Sequence, residues 1–320
     1  MSRSRPDLPA GLLRRPRTRQ DLSNAGVTWR ELTGPLWTAV QPGVHLWMPP
    51  DRLDAMTRIE AVVAWMPHGA VLGGWAALHW AGVGNLDGRT GPGASRDLPI
   101  SVCLGPVGRV RRPPTVDLDR STILDVDLTD CRGVGITTPA RSCLDVARRF
   151  GPEEGLVVTD AALRAGLVTR ADLDDAVSRL VRIKAVPAAR LVASLADPGA
   201  ESAPESRLRY VWVVEAGLPA PRVNPVVLGR DGSFLGRSDL LDEEAGLVGE
   251  YDGEDHRMLD RHTADNVREE GFEAANLVVT RVTAIDLWPQ RRRLVRRLVE
   301  RRAAGMARDR SRDSWVLPLP

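Results

Sequence analysis

The stretch FLGRSDLLDEEAGLVGEYDGEDH, residues 234–256, decides how the rest of the chain is read. Residues 234–241 have the pattern of a strand, Asp242-Glu243-Glu244-Ala245-Gly246 supplies turn chemistry, and residues 247–251 return as a second strand. Side chains two apart on a strand share a face. Val248, Glu250 and Asp252 therefore point one way, while Arg237, Asp239 and Leu241 share a face of the partner strand. Folding at residues 243–245 brings Asp239 beside Glu250. Like charges set opposite each other are destabilising and resist ionising together. A hard divalent cation between them resolves the conflict, because Mg²⁺ takes carboxylate oxygens and keeps several waters. Solvated acids on a half-exposed sheet have the same spacing, and spacing alone favours that plainer reading.

At 320 residues the chain has length for two or three domains, each with its own core. The net charge of +2 hides an uneven distribution, since arginines crowd both ends and acids dominate residues 117–130 and 239–255. Cys103, Cys131 and Cys143 are an odd number without a C-x-x-C pair. They suit buried thiols in a reducing cytoplasm better than a disulfide framework or a zinc site. No apolar run reaches membrane-spanning length, and the basic N-terminus lacks the apolar segment of a signal peptide. The expectation is a cytoplasmic protein with no membrane partner.

Residues 1–20 carry six arginines and three prolines with little apolar pattern, which predicts a disordered basic arm. Thr28, followed three residues later by Glu31, has the spacing of a capping box. A turn at Gly34-Pro35, a strand, the turn Gln41-Pro42-Gly43 and a second strand at residues 44–47 complete a short helix followed by a hairpin. That outline is winged-helix-like, with Arg30 as the cation its helix offers to DNA. Residues 52–65 form an amphipathic helix, and residues 69–81 a helix of small residues in which His79 reads as a core histidine. Residues 21–81 are thus a winged-helix-like and helical region. In residues 82–196, strands at 99–104, 115–118 and 123–128 precede helices at 140–150, 152–164, 170–180 and 187–195, a central α+β region. Residues 163–176 mimic a helix-turn-helix, but the acids of Arg170-Ala-Asp172-Leu-Asp174-Asp175 would repel phosphate. Residues 197–204, Asp-Pro-Gly-Ala-Glu-Ser-Ala-Pro, read as a linker.

Residues 205–302 then read as a helix at 205–215, a strand at 223–228, the opening hairpin, a helix from 259 to 275, a strand at 277–282 and a closing helix at 289–302. That last helix sets a narrow apolar stripe, Leu294, Val295 and Leu298, among seven arginines. Its free face is expected to contact nucleic acid through Arg291, Arg292, Arg293, Arg296 and Arg297. Residues 303–320 are expected to be a tail.

Glu205-Ser-Arg-Leu-Arg, Arg237-Ser-Asp239-Leu, Glu250-Tyr-Asp252-Gly-Glu-Asp-His256 and Val279-Thr-Arg281-Val-Thr-Ala-Ile-Asp286-Leu fall in order along residues 203–299. This series resembles the nuclease-like domain related to very-short-patch-repair endonucleases, within the PD-(D/E)XK superfamily. The segments "Gly26-Val-Thr" and "Gly43-Val44", with Thr138-Pro-Ala-Arg-Ser-Cys-Leu-Asp145, resemble the N-terminal and central regions of AbiEi-type antitoxins. The resemblance implies an α/β multidomain fold whose C-terminal part is a restriction-endonuclease-like mixed sheet flanked by helices. It also implies phosphodiester hydrolysis assisted by Mg²⁺ or Mn²⁺, with Asp239, Glu250 and Asp252 as ligands. Glu205 would reach the site from the flank of the sheet, and His256 would handle a proton. The superfamily usually has a lysine where Asp252 stands, and Lys184 is the one lysine of the chain. The very-short-patch branch similarly dispenses with lysine and uses histidine. DNA is the expected partner; a toxin partner and a homodimer stay open. The alternative to a nuclease is a non-catalytic DNA-binding regulator of type IV antitoxin type.

Overall fold

The structure is a computed structural model and describes residues 10–49, 51–106, 109–181, 183–253 and 270–318. Near the N-terminus α1 (Ala10–Leu13) leads to β1 (Arg17–Thr18), and reciprocal caps then set two short helices. Thr18 and Asp21 cap α2 (Arg19–Asn24), and Thr28 and Glu31 cap α3 (Trp29–Leu32) as the spacing predicts. Strands β2 (Trp37–Gln41) and β3 (Val44–Trp47) join β1 in a three-stranded sheet of order β1-β3-β2. Leu13, Leu22, Val27, Leu32 and Trp37 are the core of this unit. The expectation of a disordered arm over residues 1–20 is corrected from residue 10 onward. Leu13 is buried there, and Arg17 and Thr18 pair with His45 and Val44. The few apolar side chains are hidden among arginines in the sequence, but they meet a partner sheet.

The central region contains α4 (Ala55–Trp65), β4 (Val71–Gly73), α5 (Gly74–Ala81) and a small hairpin of β5 (Arg89–Thr90) and β6 (Arg96–Asp97). Next come β7 (Ile100–Cys103), β8 (Val116–Asp119), β9 (Leu128–Cys131) and β10 (Val134–Thr137). With β4 they form a five-stranded sheet of order β8-β7-β4-β10-β9. Helices α6 (Pro139–Phe150), α7 (Pro152–Arg164), α8 (Arg170–Ser178) and α9 (Val186–Leu195) follow close to their expected bounds. The strand expected at 123–128 is corrected: Asp125–Asp127 is a 3-10 turn, and the strand lies just beyond it as β9. Arg132 and Gly133 both take positive φ and close β9 onto β10, the backbone a tight hairpin requires. At the β4–α5 corner Gly74 has φ +60, and a Cβ there would meet Val146 Cγ2 at 3.3 Å. The acids and arginines of this region are largely paired with each other: Asp127 holds Arg141 and Arg179, and Asp145 holds Arg141 and Arg148.

Beyond it α10 (Ala203–Tyr210) continues into a π-helical turn, Val211–Glu215. Strands β11 (Arg222–Val223), β12 (Val226–Gly229), β13 (Phe234–Arg237), β14 (Leu240–Asp242), β15 (Leu247–Tyr251) and β16 (Val278–Val282) follow. Then come α11 (Ala284–Leu287), α12 (Arg291–Met306) and β17 (Trp315–Val316). One sheet has the order β11-β14-β15-β16 and a second the order β13-β12-β17. The first is mixed, with β15 parallel to β16 and antiparallel to β14. Leu208, Trp212, Leu247, Leu294 and Leu298 pack in one cluster, and Leu241, Val248, Phe272 and Val279 in another. The alternation of Leu247 and Val248 between the clusters assigns one to each face of the mixed sheet. Two expectations are corrected here. Residues 234–241 are not one strand, because the chain breaks at Ser238-Asp239 and its halves enter different sheets. Residues 303–320 are not only a tail, since β17 pairs with β12.

Residues 197–204 are held in place. The buried Asp160 carboxylate accepts from Asp197 N at 2.8 Å, from Ser206 Oγ at 2.6 Å and from the Arg209 guanidinium. Arg207 binds Glu153, Glu154 and Thr90, and Arg291 binds Glu153 and Glu215. α10 is therefore shared between the central region and the C-terminal sheet. Among the described residues no helix is long and apolar enough to cross a membrane.

Candidate functional site

The register pairs Leu240 with Gly249 and Leu241 with Val248, and Asp239 and Glu250 are the next residues outward on the two segments. Asp239 Oδ2 accepts a hydrogen bond from Tyr251 N at 2.6 Å. This carboxylate therefore helps to end the hairpin, next to the strand that carries Glu250. Both acids share the face of Leu241 and Val248, two residues away along each strand. Glu250 is buried, with 7% of its surface exposed. On its other side the parallel strand β16 places Arg281 in register with Glu250. Asp239, Glu250 and Arg281 thus form one row across three neighbouring strands.

Glu205 approaches this row from α10. Ser202 caps the helix by accepting from Glu205 N. The Glu205 carboxylate accepts on Oε2 twice, from Glu201 N at 2.8 Å and from Asn224 Nδ2 at 2.7 Å. Asn224 N in turn donates to Asp239 O at 2.9 Å. One residue, in left-handed conformation at φ 49, therefore connects Glu205 to the strand of Asp239. Glu205 is nearly buried, so its position in the first helical turn is more than a favourable dipole contact.

Asp252 lies past the end of β15, where its N–H donates to Val282 O at 2.8 Å. His256 lies outside the described residues. Among the described residues no three His, Cys, Asp or Glu side chains are grouped so as to hold a metal ion. The carboxylates of Asp239, Glu250 and Asp252, expected as a joint ligand set, are not assembled as a set of three. The pair Asp239 and Glu250 still offers hard oxygen donors from neighbouring strands. That donor chemistry suits Mg²⁺ or Mn²⁺ retaining most of its water.

The arginine helix divides differently from expectation. Arg291 is held by Glu153 and Glu215, Arg297 by Asp286 and the carbonyl of Arg281, and Arg302 by Asp242 and Glu244. Arg291 and Arg297, expected to face nucleic acid, thus have carboxylate partners within the protein. Arg292, Arg293 and Arg296 are exposed. Arg30 is exposed on α3, beside Trp29, whose ring carries the Arg19 guanidinium 4.1 Å from its centroid. Sequence reasoning missed Asn224, and it quoted Arg281 within the last motif without giving it a role. The signal for Arg281 was its place two residues after Val279 on the last strand, but its neighbour depends on parallel register, which no local pattern reports.

No family model matches the sequence. Two uncharacterized proteins of Mycobacterium tuberculosis, from strains CDC 1551 / Oshkosh and ATCC 25618 / H37Rv, are similar to it. Each is 30% identical over 176 residues, covering 53% of this chain and 64% of the relative. The chain thus spans less than two thirds of the length of the relatives it matches. No solved structure matches it.

Proposed function

We propose that the chain is a divalent-metal-dependent nuclease-like protein acting on DNA by phosphodiester hydrolysis. The observation that carries this reading is the row Asp239–Glu250–Arg281, with Glu205 tied to Asp239 through Asn224. Support for a restriction-endonuclease-like domain comes from its order: α10, the antiparallel strands β14 and β15, a helical segment at residues 270–274, then β16 parallel to β15. Asp239 and Glu250 would hold Mg²⁺ or Mn²⁺, an ion that polarises a phosphoryl oxygen and acidifies its bound water. Arg281 supplies the fixed positive charge that the missing lysine does not, suited to a phosphate oxygen. Asp252 or Glu205 would complete the shell of that ion, and His256 would activate or orient water or protonate the leaving oxygen.

At the other end, helices α2 and α3 beside the sheet β1-β3-β2 support a winged-helix reading in which Arg30 and Arg19 contact phosphate. Asp21 and Glu31, the acids of these helices, are engaged by Thr18 and Thr28. The second reading, a DNA-binding regulator of antitoxin type, is favoured by Asp252 in the lysine position and by Tyr251 N–H bonded to Asp239.

The deciding experiment incubates plasmid and single-stranded DNA with the full chain in Mg²⁺, in Mn²⁺ and in EDTA. Cleavage by the native protein in metal, none in EDTA and none by Glu250→Ala is the expected result. DNA binding without cleavage in either metal would replace the nuclease with the regulator. A separate prediction concerns three of the arginines that stay exposed on α12. Replacing Arg292, Arg293 and Arg296 together by Ala should weaken DNA binding and make the log K against log salt slope shallower by about 2.7. Fluorescence anisotropy across a salt series reads the slope, and an unchanged slope would remove α12 from the interface.

A further inference from the structure

We infer that Asn224 is a positioning residue that holds Glu205 against the Asp239 strand, and this rests on the nuclease reading above. Both donors to the Glu205 carboxylate, Glu201 N and Asn224 Nδ2, land on Oε2. Oε1 accepts from no described residue. A carboxylate with one oxygen fixed and the other uncommitted is oriented, yet still able to accept a proton from water or meet a cation. The same Asn224 carboxamide nitrogen also donates to Gly199 O at 2.8 Å, and the Asn224 backbone N–H donates to Asp239 O at 2.9 Å. Three segments therefore meet on one side chain and its own backbone: the approach to α10, the start of α10 and the strand of Asp239.

The backbone of Asn224 points to the same role. Its φ of 49 is a conformation that L residues rarely adopt. Glycine takes it most easily and asparagine tolerates it. A turn that needed only this backbone would be served by glycine. Asparagine adds the amide that reaches Glu205, and aspartate at the same place would set a second carboxylate against the first. The residue between β11 and β12 thus combines a tolerated left-handed turn with the one neutral donor of its shape. It touches neither the expected ion nor the substrate, and acts through Glu205.

The test is Mn²⁺ binding to the full chain, followed by loss of the free-ion signal in electron paramagnetic resonance, so that no cleavage is required. Native protein is compared with Asn224→Gly, Asn224→Asp, Glu205→Gln, Asp239→Asn and the double variant Asn224→Gly/Glu205→Gln. Asn224→Gly should weaken Mn²⁺ binding about tenfold, by the same factor as Glu205→Gln. The double variant should be no weaker than either single one, because both remove one unit. Asn224→Asp should shift the pH profile of binding upward, since paired carboxylates raise each other's pKa. Asp239→Asn should lose binding whichever residue stands at 224. If Asp239→Asn loses Mn²⁺ while Asn224→Gly binds it as the native protein does, Asn224 is only a turn residue. If the native chain binds no Mn²⁺, the metal reading falls and this inference falls with it. Equal unfolding temperatures of native protein and Asn224→Asp would confirm that a changed affinity comes from the site, and an unfolded Asn224→Gly leaves Asn224→Asp to decide by its pH profile.

Discussion

Asp160→Ala is expected to lower the unfolding free energy by about 3–5 kcal/mol, the cost of removing one partner from a buried ion pair. The Asp160 carboxylate is 2% exposed and the Arg209 guanidinium 5%. Burial pushes the Asp160 carboxyl above its ordinary value, against the opposing pull of Arg209, Ser206 and the Asp197 N–H. For a raised carboxyl the protonated form is favoured by folding. Its contribution is fully present below the unfolded pKa and is lost as pH rises through the folded one. Removing the carboxylate is costly at neutral pH for what it strands. Arg209 would keep a buried charge without its carboxylate, and Ser206 Oγ and Asp197 N would lose their acceptor. Asp160→Ala combined with Arg209→Met removes the stranded charge and should recover part of the loss. Urea unfolding of the three proteins checks this. A loss under about 1 kcal/mol, the scale of a surface pair, would show that the join at residues 197–209 does not depend on Asp160.

That join shows where sequence reasoning reached its limit. Residues 197–204 have the Pro, Gly and Ser of a linker, and local composition gives no sign that Ala200 is buried or that Asp160 accepts from Asp197 and Ser206. Capping boxes are local, so Thr28 with Glu31 was legible from spacing. The helices α6 to α9 were legible because each has its own periodic apolar face. The break at Ser238-Asp239 was not, because both halves alternate well enough to be strands and only pairing assigns them to separate sheets. For the site, the turn at residues 243–245 was legible, and the register it sets runs up to Leu240 and Gly249, the neighbours of Asp239 and Glu250. Arg281 and Asn224 enter through a parallel strand and a left-handed turn, neither of which leaves a periodic signal. The seven arginines of the last helix show another limit of a count. Their number suggested a phosphate track, yet Arg291, Arg297 and Arg302 face carboxylates from elsewhere in the fold.

Asp239→Asn and Asp239→Ala are expected to part company, and the difference separates the two roles of this carboxylate. Its Oδ2 accepts from Tyr251 N, and the register places it beside Glu250. Asparagine keeps an oxygen for the Tyr251 N–H and removes one of two facing negative charges. The metal-free protein should then be no less stable than the native one, since like charges set opposite each other are destabilising. Alanine removes the acceptor as well, and an orphaned, partly buried N–H costs about 1–3 kcal/mol. Metal reverses the comparison. If the proposed ion is held between Asp239 and Glu250, it should stabilise the native protein by about 2.7 kcal/mol at a hundredfold excess over its Kd. Both variants should lose most of that gain, and any cleavage should fall by at least about 10²-fold, the scale of losing one electrostatic contact in a transition state. Thermal unfolding of the native protein and both variants, with and without Mn²⁺, measures these stabilities directly. Full metal stabilisation in Asp239→Asn would mean that the ion, if bound, sits elsewhere. An Asn variant as destabilised as the Ala one, with no metal effect in the native chain, would make Asp239 a strand-end acceptor and leave the protein to the regulator reading.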